Sequence, residues 1–164
     1  MVAFISLSLG LVTAVVIDVR TRRIPNWLTG AIAAGGFGLA FGGGSVTPLG
    51  ALLGLALGLG LMLPGHVIGA TGAGDVKLMA AVGTFLGPGL AFRAFLYSAL
   101  AGGVMALAIA ARRGLLADTV FGTSGLMTSP ASTRDTIVAP ARGNRFAYGP
   151  AIAAGTFISL LVHP

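Results

Sequence analysis

The chain has 164 residues, 55% of them hydrophobic and 9% charged, with a mean hydropathy of +0.96 and a net charge of +6. Soluble domains carry about 25% charged residues, so this composition excludes a soluble domain and specifies an integral membrane protein. The lack of cysteine excludes disulfides, thiolate zinc sites and a cysteine nucleophile, while the basic residues flank apolar runs without stacking aromatics, which speaks for membrane flanks and against nucleic acid.

Apolar runs of about 20 residues span a bilayer as helices, and the chain has room for about six. Stretches such as 49–63 are apolar on every side, without the alternation of a β-barrel strand. Helices then satisfy the backbone in lipid. The expected fold is all-α: a polytopic membrane protein with one transmembrane domain over residues 1–164.

The first run, residues 2–17, lacks a basic n-region and a small-residue cleavage site and reads as a retained span. Asp18-Val19-Arg20-Thr21-Arg22-Arg23-Ile24-Pro25-Asn26-Trp27 follows. Here Pro25 biases Ile24 away from helix, Asn26 suits the N-cap of the next span and Trp27 an interfacial anchor. The second span covers 28–41, and Gly42-Gly43-Gly44-Ser45 makes a turn. The third, 47–66, carries Gly50, Gly54 and Gly58 as one flat stripe for close helix approach. A glycine-rich turn over 65–74 leads to Asp75, which opens the fourth span, 75–86. Gly87-Pro88-Gly89 reads as a tight turn, and the fifth span, 90–111, closes at Arg112-Arg113. Residues 114–146 hold most of the polar composition, including Asp118 and Asp135, and are expected to form an extramembrane loop. The last span begins near Tyr148-Gly149-Pro150, where Pro150 suits a first helical turn.

Cytoplasmic loops carry the excess of lysine and arginine. With the N-terminus outside, loops 18–27, 65–77 and 112–146 are cytoplasmic and only Arg93 remains outside. The same parity brings Asp18 and Asp75 to one depth at the inner face, although acids play no part in setting it.

The chain has four acids. An ionised carboxylate near lipid costs several kcal/mol or more unless paired, hydrated or protonated, so Asp75 between two apolar runs marks a functional site by default. Two carboxyls held close share a proton and titrate as a unit. Such a pair can split an amide: the ionised member takes a proton from water and the protonated member polarises the carbonyl, with no metal or cofactor. Gly72 and Gly74, without Cβ atoms, would let the backbone turn and lie against a substrate peptide.

Asp18-Val19-Arg20-Thr21-Arg22-Arg23-Ile24-Pro25-Asn26 and Gly72-Ala73-Gly74-Asp75-Val76-Lys77-Leu78 resemble the two signature segments of the type IV prepilin peptidases, membrane aspartic proteases of the Gly-x-Gly-Asp class. The resemblance extends to six spans and to the Tyr148-Gly149-Pro150-Ala151-Ile152-Ala153 start of the last one. It implies cleavage of the basic leader from prepilins and pseudopilins at the cytoplasmic face of a bacterial inner membrane, with Asp18 and Asp75 as the catalytic pair. The larger, bifunctional members also methylate the new N-terminus through a cysteine-containing domain between the first spans. That loop is short here and cysteine is absent, so the chain is similar to the short peptidases of Flp-type, tight-adherence pilus systems.

Several residues have plainer readings. Asp18 could pair with Arg20 or Arg22 at a helix end, and Asp75 could be an N-cap. Lys77 is expected to snorkel to headgroups, Arg20, Arg22 and Arg23 to set topology and meet anionic lipids, and His66 to be an interfacial residue without a role. A non-enzymatic pilus scaffold or transport subunit is the competing class; it calls for polar residues lining a path at mid-span depth. A protease of the signal-peptide-peptidase kind would place its first aspartate inside a span beside a tyrosine.

Overall fold

The computed structural model describes residues 1–112 and 147–162. The expected loop at 114–146, with Asp118 and Asp135, lies outside them. The described residues form helices without strands: α1 (Val2–Thr21), α2 (Asn26–Phe41), α3 (Pro48–Val67), α4 (Ala73–Arg112) and α5 (Gly149–Leu161). Three are long and apolar enough to cross a membrane, Val2–Thr21, Pro48–Val67 and Ala73–Ile109, and Gly149–Leu161 is a shorter apolar helix. The difference from six separate spans has two sources. The 16 residues of α2 and the 13 of α5 are short against a bilayer, which takes about 20. The expected fourth and fifth spans, moreover, lie within the one range of α4, as two helices separated at the expected turn by the non-helical Gly87.

That range is not straight. Gly87 breaks it with φ 70° and ψ 177°, a conformation essentially reserved for glycine. Pro88, which favours a first helical turn, restarts the helix. A straight helix would put Asp75 and Ser98 about 35 Å apart. Yet Tyr148 donates a hydrogen bond to the Ser98 carbonyl at 3.1 Å and lies within reach of the Asp75 charge. The two halves therefore fold back along each other at Gly87.

The first half of α4 is the centre of the bundle. Over residues 75–87 only Lys77 is exposed and Phe85 half-buried, as expected for a helix that is apolar all round. The other helices bury one stripe each. In α1 it is Leu7, Leu11, Ala14 and Asp18, and in α3 Ala51, Gly54, Gly58 and Met62. Their outer faces expose large apolar side chains such as Leu9, Val12, Leu52, Leu100 and Val104, the surface of a protein solvated by lipid.

Small residues set the helix spacing. A Cβ on Gly54 would run into the Gly83 carbonyl, one on Gly83 into the Gly54 carbonyl, and one on Gly58 would lie 2.6 Å from the Met79 carbonyl oxygen. The glycine stripe thus serves contact within the chain at Gly54 and Gly58. Gly50 is not part of it: its N–H donates to Thr47, the N-cap of α3, at 3.0 Å.

Overpacking a close contact costs about 1–3 kcal/mol. Gly54→Leu is expected to lower the thermal midpoint in detergent clearly, whereas Gly60→Leu, with nothing within 4 Å of its Cβ position, should leave it nearly unchanged. Thermal scans of the two purified variants check this; equal midpoints would contradict the α3–α4 contact.

Candidate active site

Asp18 lies on the inward stripe of α1, in its last turn, because the helix continues to Thr21 instead of ending before the acid. It is 4% exposed. Arg22 then takes a left-handed conformation (φ 52°) as C-cap, and its N–H donates to the Asp18 carbonyl at 2.7 Å. The Asp18 carboxylate has a distant partner: the backbone N–H of Gly149, at the start of α5, donates to Oδ2 at 2.8 Å. The charge of Arg22 also acts on this carboxylate.

Asp75 is 6% exposed and stands at the third helical position of α4, since the helix opens at Ala73. Its Oδ2 accepts the Gly72 N–H at 3.0 Å. This is the reciprocal arm of a capping box, in which a third-position acid satisfies the amide before the helix. Asp75 is therefore not the N-cap; Gly72 holds that place, its carbonyl accepting the N–H groups of Asp75 and Val76.

The two carboxyls are close enough to interact through their charges, and the Tyr148 hydroxyl is within reach of Asp75. Three segments far apart in sequence thus meet: the end of α1, the start of α4 and the start of α5. Two contacts tie the first two together. A Cβ on Gly74 would lie 3.1 Å from Ile24 Cβ, so this glycine admits the chain between α1 and α2. Lys77 Nζ donates to Asn26 Oδ1 at 2.8 Å. Asn26 is accordingly not an N-cap but the first residue of α2, following Pro25, and the Lys77 ammonium is directed to it.

Gly72 and Gly74 both serve contacts within the chain. A Cβ on Gly72 would lie 2.9 Å from Asp75 Oδ2, and Gly74 faces Ile24. Neither has positive φ. His66 Nδ1 donates to the Thr71 carbonyl at 3.0 Å and closes the turn before α4. Sequence reasoning did not find Gly149 as a partner of Asp18, nor Tyr148 beside Asp75. The only signal was the family-like Tyr148-Gly149-Pro150, read as a helix start.

The family model described as the type IV leader peptidase family matches residues 5–107, more than half of the chain, and includes both acids. The chain belongs to the type IV leader peptidase family. No curated protein and no solved structure matches it. Membership makes it a leader-peptidase-type protease, and its apolar helices are those of a membrane protein.

Asp75→Asn keeps an acceptor for the Gly72 amide, whereas Asp75→Ala leaves that amide without one. Loss of a capping bond costs about 1 kcal/mol. Asp75→Ala should therefore melt below Asp75→Asn in detergent; identical melting would show that the bond to Gly72 does not support the start of α4.

Proposed function

We propose that the protein is a membrane aspartic endopeptidase that removes the basic leader from Flp-like type IV prepilins and pseudopilins at the cytoplasmic face of a bacterial inner membrane. Asp18 and Asp75 are the catalytic pair. The observation that carries this reading is the burial of two interacting carboxyls at the meeting point of α1 and α4, both inside the stretch matched by the leader peptidase family.

In the mechanism, one carboxylate takes a proton from a water while the other, protonated, polarises the scissile carbonyl. The proton is returned to the leaving amine as the tetrahedral species collapses. The anchored Oδ2 atoms hold each carboxyl on one side, which leaves the opposite oxygens to address water and the peptide. Aspartate supplies both functions, so the reaction calls on no metal, thiol or cofactor, and the chain has no cysteine for the N-methylation of the bifunctional members.

Six crossings follow when the two halves of α4 are counted separately beside α1, α2, α3 and α5. The N-terminus is then outside, and the ends of α1 and α4 that bear the acids face the cytoplasm. Membrane lipids cover the apolar outer faces, and Arg20, Arg22 and Arg23 meet anionic headgroups. A transport subunit is disfavoured by the buried hydroxyls: those of Thr84, Ser98 and Thr156 bond to carbonyls of their own helices at 2.7, 2.6 and 2.8 Å, so they do not line a polar path.

Asp18→Asn and Asp75→Asn should each lower cleavage of a pilin with a basic leader by at least about a thousandfold, and the double variant should be scarcely worse, since groups acting as a unit fail together. Each variant must remain folded in the membrane; normal cleavage by either would refute the pair. For orientation, a single cysteine in place of Gly89 should react with an impermeant maleimide in intact cells, while one in place of Arg20 should not. Reversed labelling would invert the topology.

A further inference from the structure

The start of α5 touches the acids from outside the stretch matched by the family model, which stops at residue 107. The bond from Gly149 N–H to Asp18 Oδ2 is buried and joins residues 131 positions apart. Glycine lets it form with the carboxylate where it is: a Cβ there would lie 2.7 Å from Asp18 Oδ2 and 3.3 Å from its Cγ, so the Asp18 side chain would have to shift. The backbone itself would accept a side chain, because Gly149 does not have positive φ. The demand for glycine thus comes from the carboxylate it approaches.

The neighbouring residues hold this amide in place. Tyr148, next to Gly149, donates its hydroxyl to the Ser98 carbonyl at 3.1 Å, and its ring occupies the space over Gly102. Pro150 follows, with the backbone angle of a first helical turn. The Tyr148 hydroxyl is also within reach of the Asp75 charge. One dipeptide is therefore linked to both acids, bonding the first through its backbone N–H and feeling the charge of the second at its side chain.

We propose that Tyr148 and Gly149 are positioning residues for the reaction: the Gly149 amide fixes the Asp18 carboxylate in the orientation that faces Asp75, and the Tyr148 anchor on Ser98 fixes the amide. This rests on the reading of Asp18 and Asp75 as the catalytic pair. A displacement of about 1 Å at a reacting group can cost about a hundredfold in rate, and such a loss falls on kcat with KM preserved when substrate binding is intact.

Gly54→Ala provides the structural control, since a Cβ at Gly54 would run into the Gly83 carbonyl, about two turns along α4 from Asp75 and away from Tyr148, Gly149 and Ser98. The assay uses detergent-purified full-length protein and a pilin probe consisting of a basic leader, a glycine and an apolar helix, with rates expressed per folded molecule. Gly149→Ala should lower kcat about a hundredfold with KM within about twofold of the parent protein, and Gly54→Ala should stay within about threefold in kcat. A Gly149→Ala protein within threefold of the parent, or an equal loss in Gly54→Ala, overturns the proposal. If Gly149→Ala cannot be recovered folded, Tyr148→Phe decides: the ring stays over Gly102 and the bond to Ser98 is lost. About tenfold lower kcat at unchanged KM supports the proposal, and kcat within twofold overturns it. Asp18→Asn and Asp75→Asn in the same assay separate the two ideas. If they are inactive while Gly149→Ala is unaffected, only the positioning role fails. If they cleave normally, the pair itself fails.

Discussion

Two carboxylates buried in an apolar bundle impose the constraint on which the rest of this structure depends. A buried acid needs hydrogen-bond donors, and helices use most of their backbone N–H groups internally. The exceptions are the amides of the first turn, which have no intrahelical partner. Both acids use such an amide. Asp75 takes the Gly72 N–H at the start of its own helix, and Asp18, at the end of α1, takes the Gly149 N–H at the start of α5. Asp75 lies at the N-terminus of α4, where the helix dipole favours negative charge, whereas Asp18, in the last turn of α1, is opposed by its own helix and meets the favourable N-terminus of α5. One helix must therefore end, and two others begin, at the same place.

Glycine makes that convergence sterically possible. Gly74 admits Ile24, Gly149 admits the Asp18 carboxylate, and Gly54 and Gly83 bring α3 against the central part of α4. In lipid the hydrophobic effect does not press helices together, so packing at short range and hydrogen bonding have to do it. The largely buried first half of α4 is held this way, with Leu78, Met79 and Val82 among the least accessible side chains of the described residues. A rigid central helix that carries one acid near its first turn gives the other elements a fixed surface on which to place the second.

The site end of the bundle combines rigid and slender parts. Asp75 belongs to the central helix, whereas Asp18 belongs to α1, a peripheral helix with a single buried stripe. What registers α1 against α4 at this end is a small set of specific contacts: Ile24 on Gly74, Lys77 to Asn26, and Gly149 to Asp18. Their value is geometric, because each fixes a distance between residues that are about 50 or more positions apart in the sequence.

Local pattern was enough to establish a membrane protein of helices and, through two short segments, the leader peptidase family. The starts of α3 and α5, the glycine break at 87 and the two acids were all visible as residue types with strong local preferences. Their partners were not visible. That Asp18 bonds Gly149, that Asn26 receives Lys77 instead of capping α2, that Asp75 is a third-position acid, and that Gly54 meets Gly83 while Gly50 faces Thr47 and Val46 at the start of its own helix were decided by the tertiary structure. The physical reason is the same in each case: composition and periodicity report which face of a helix is apolar, whereas a single hydrogen bond or a missing Cβ joins residues far apart in the chain and leaves no periodic trace in either segment.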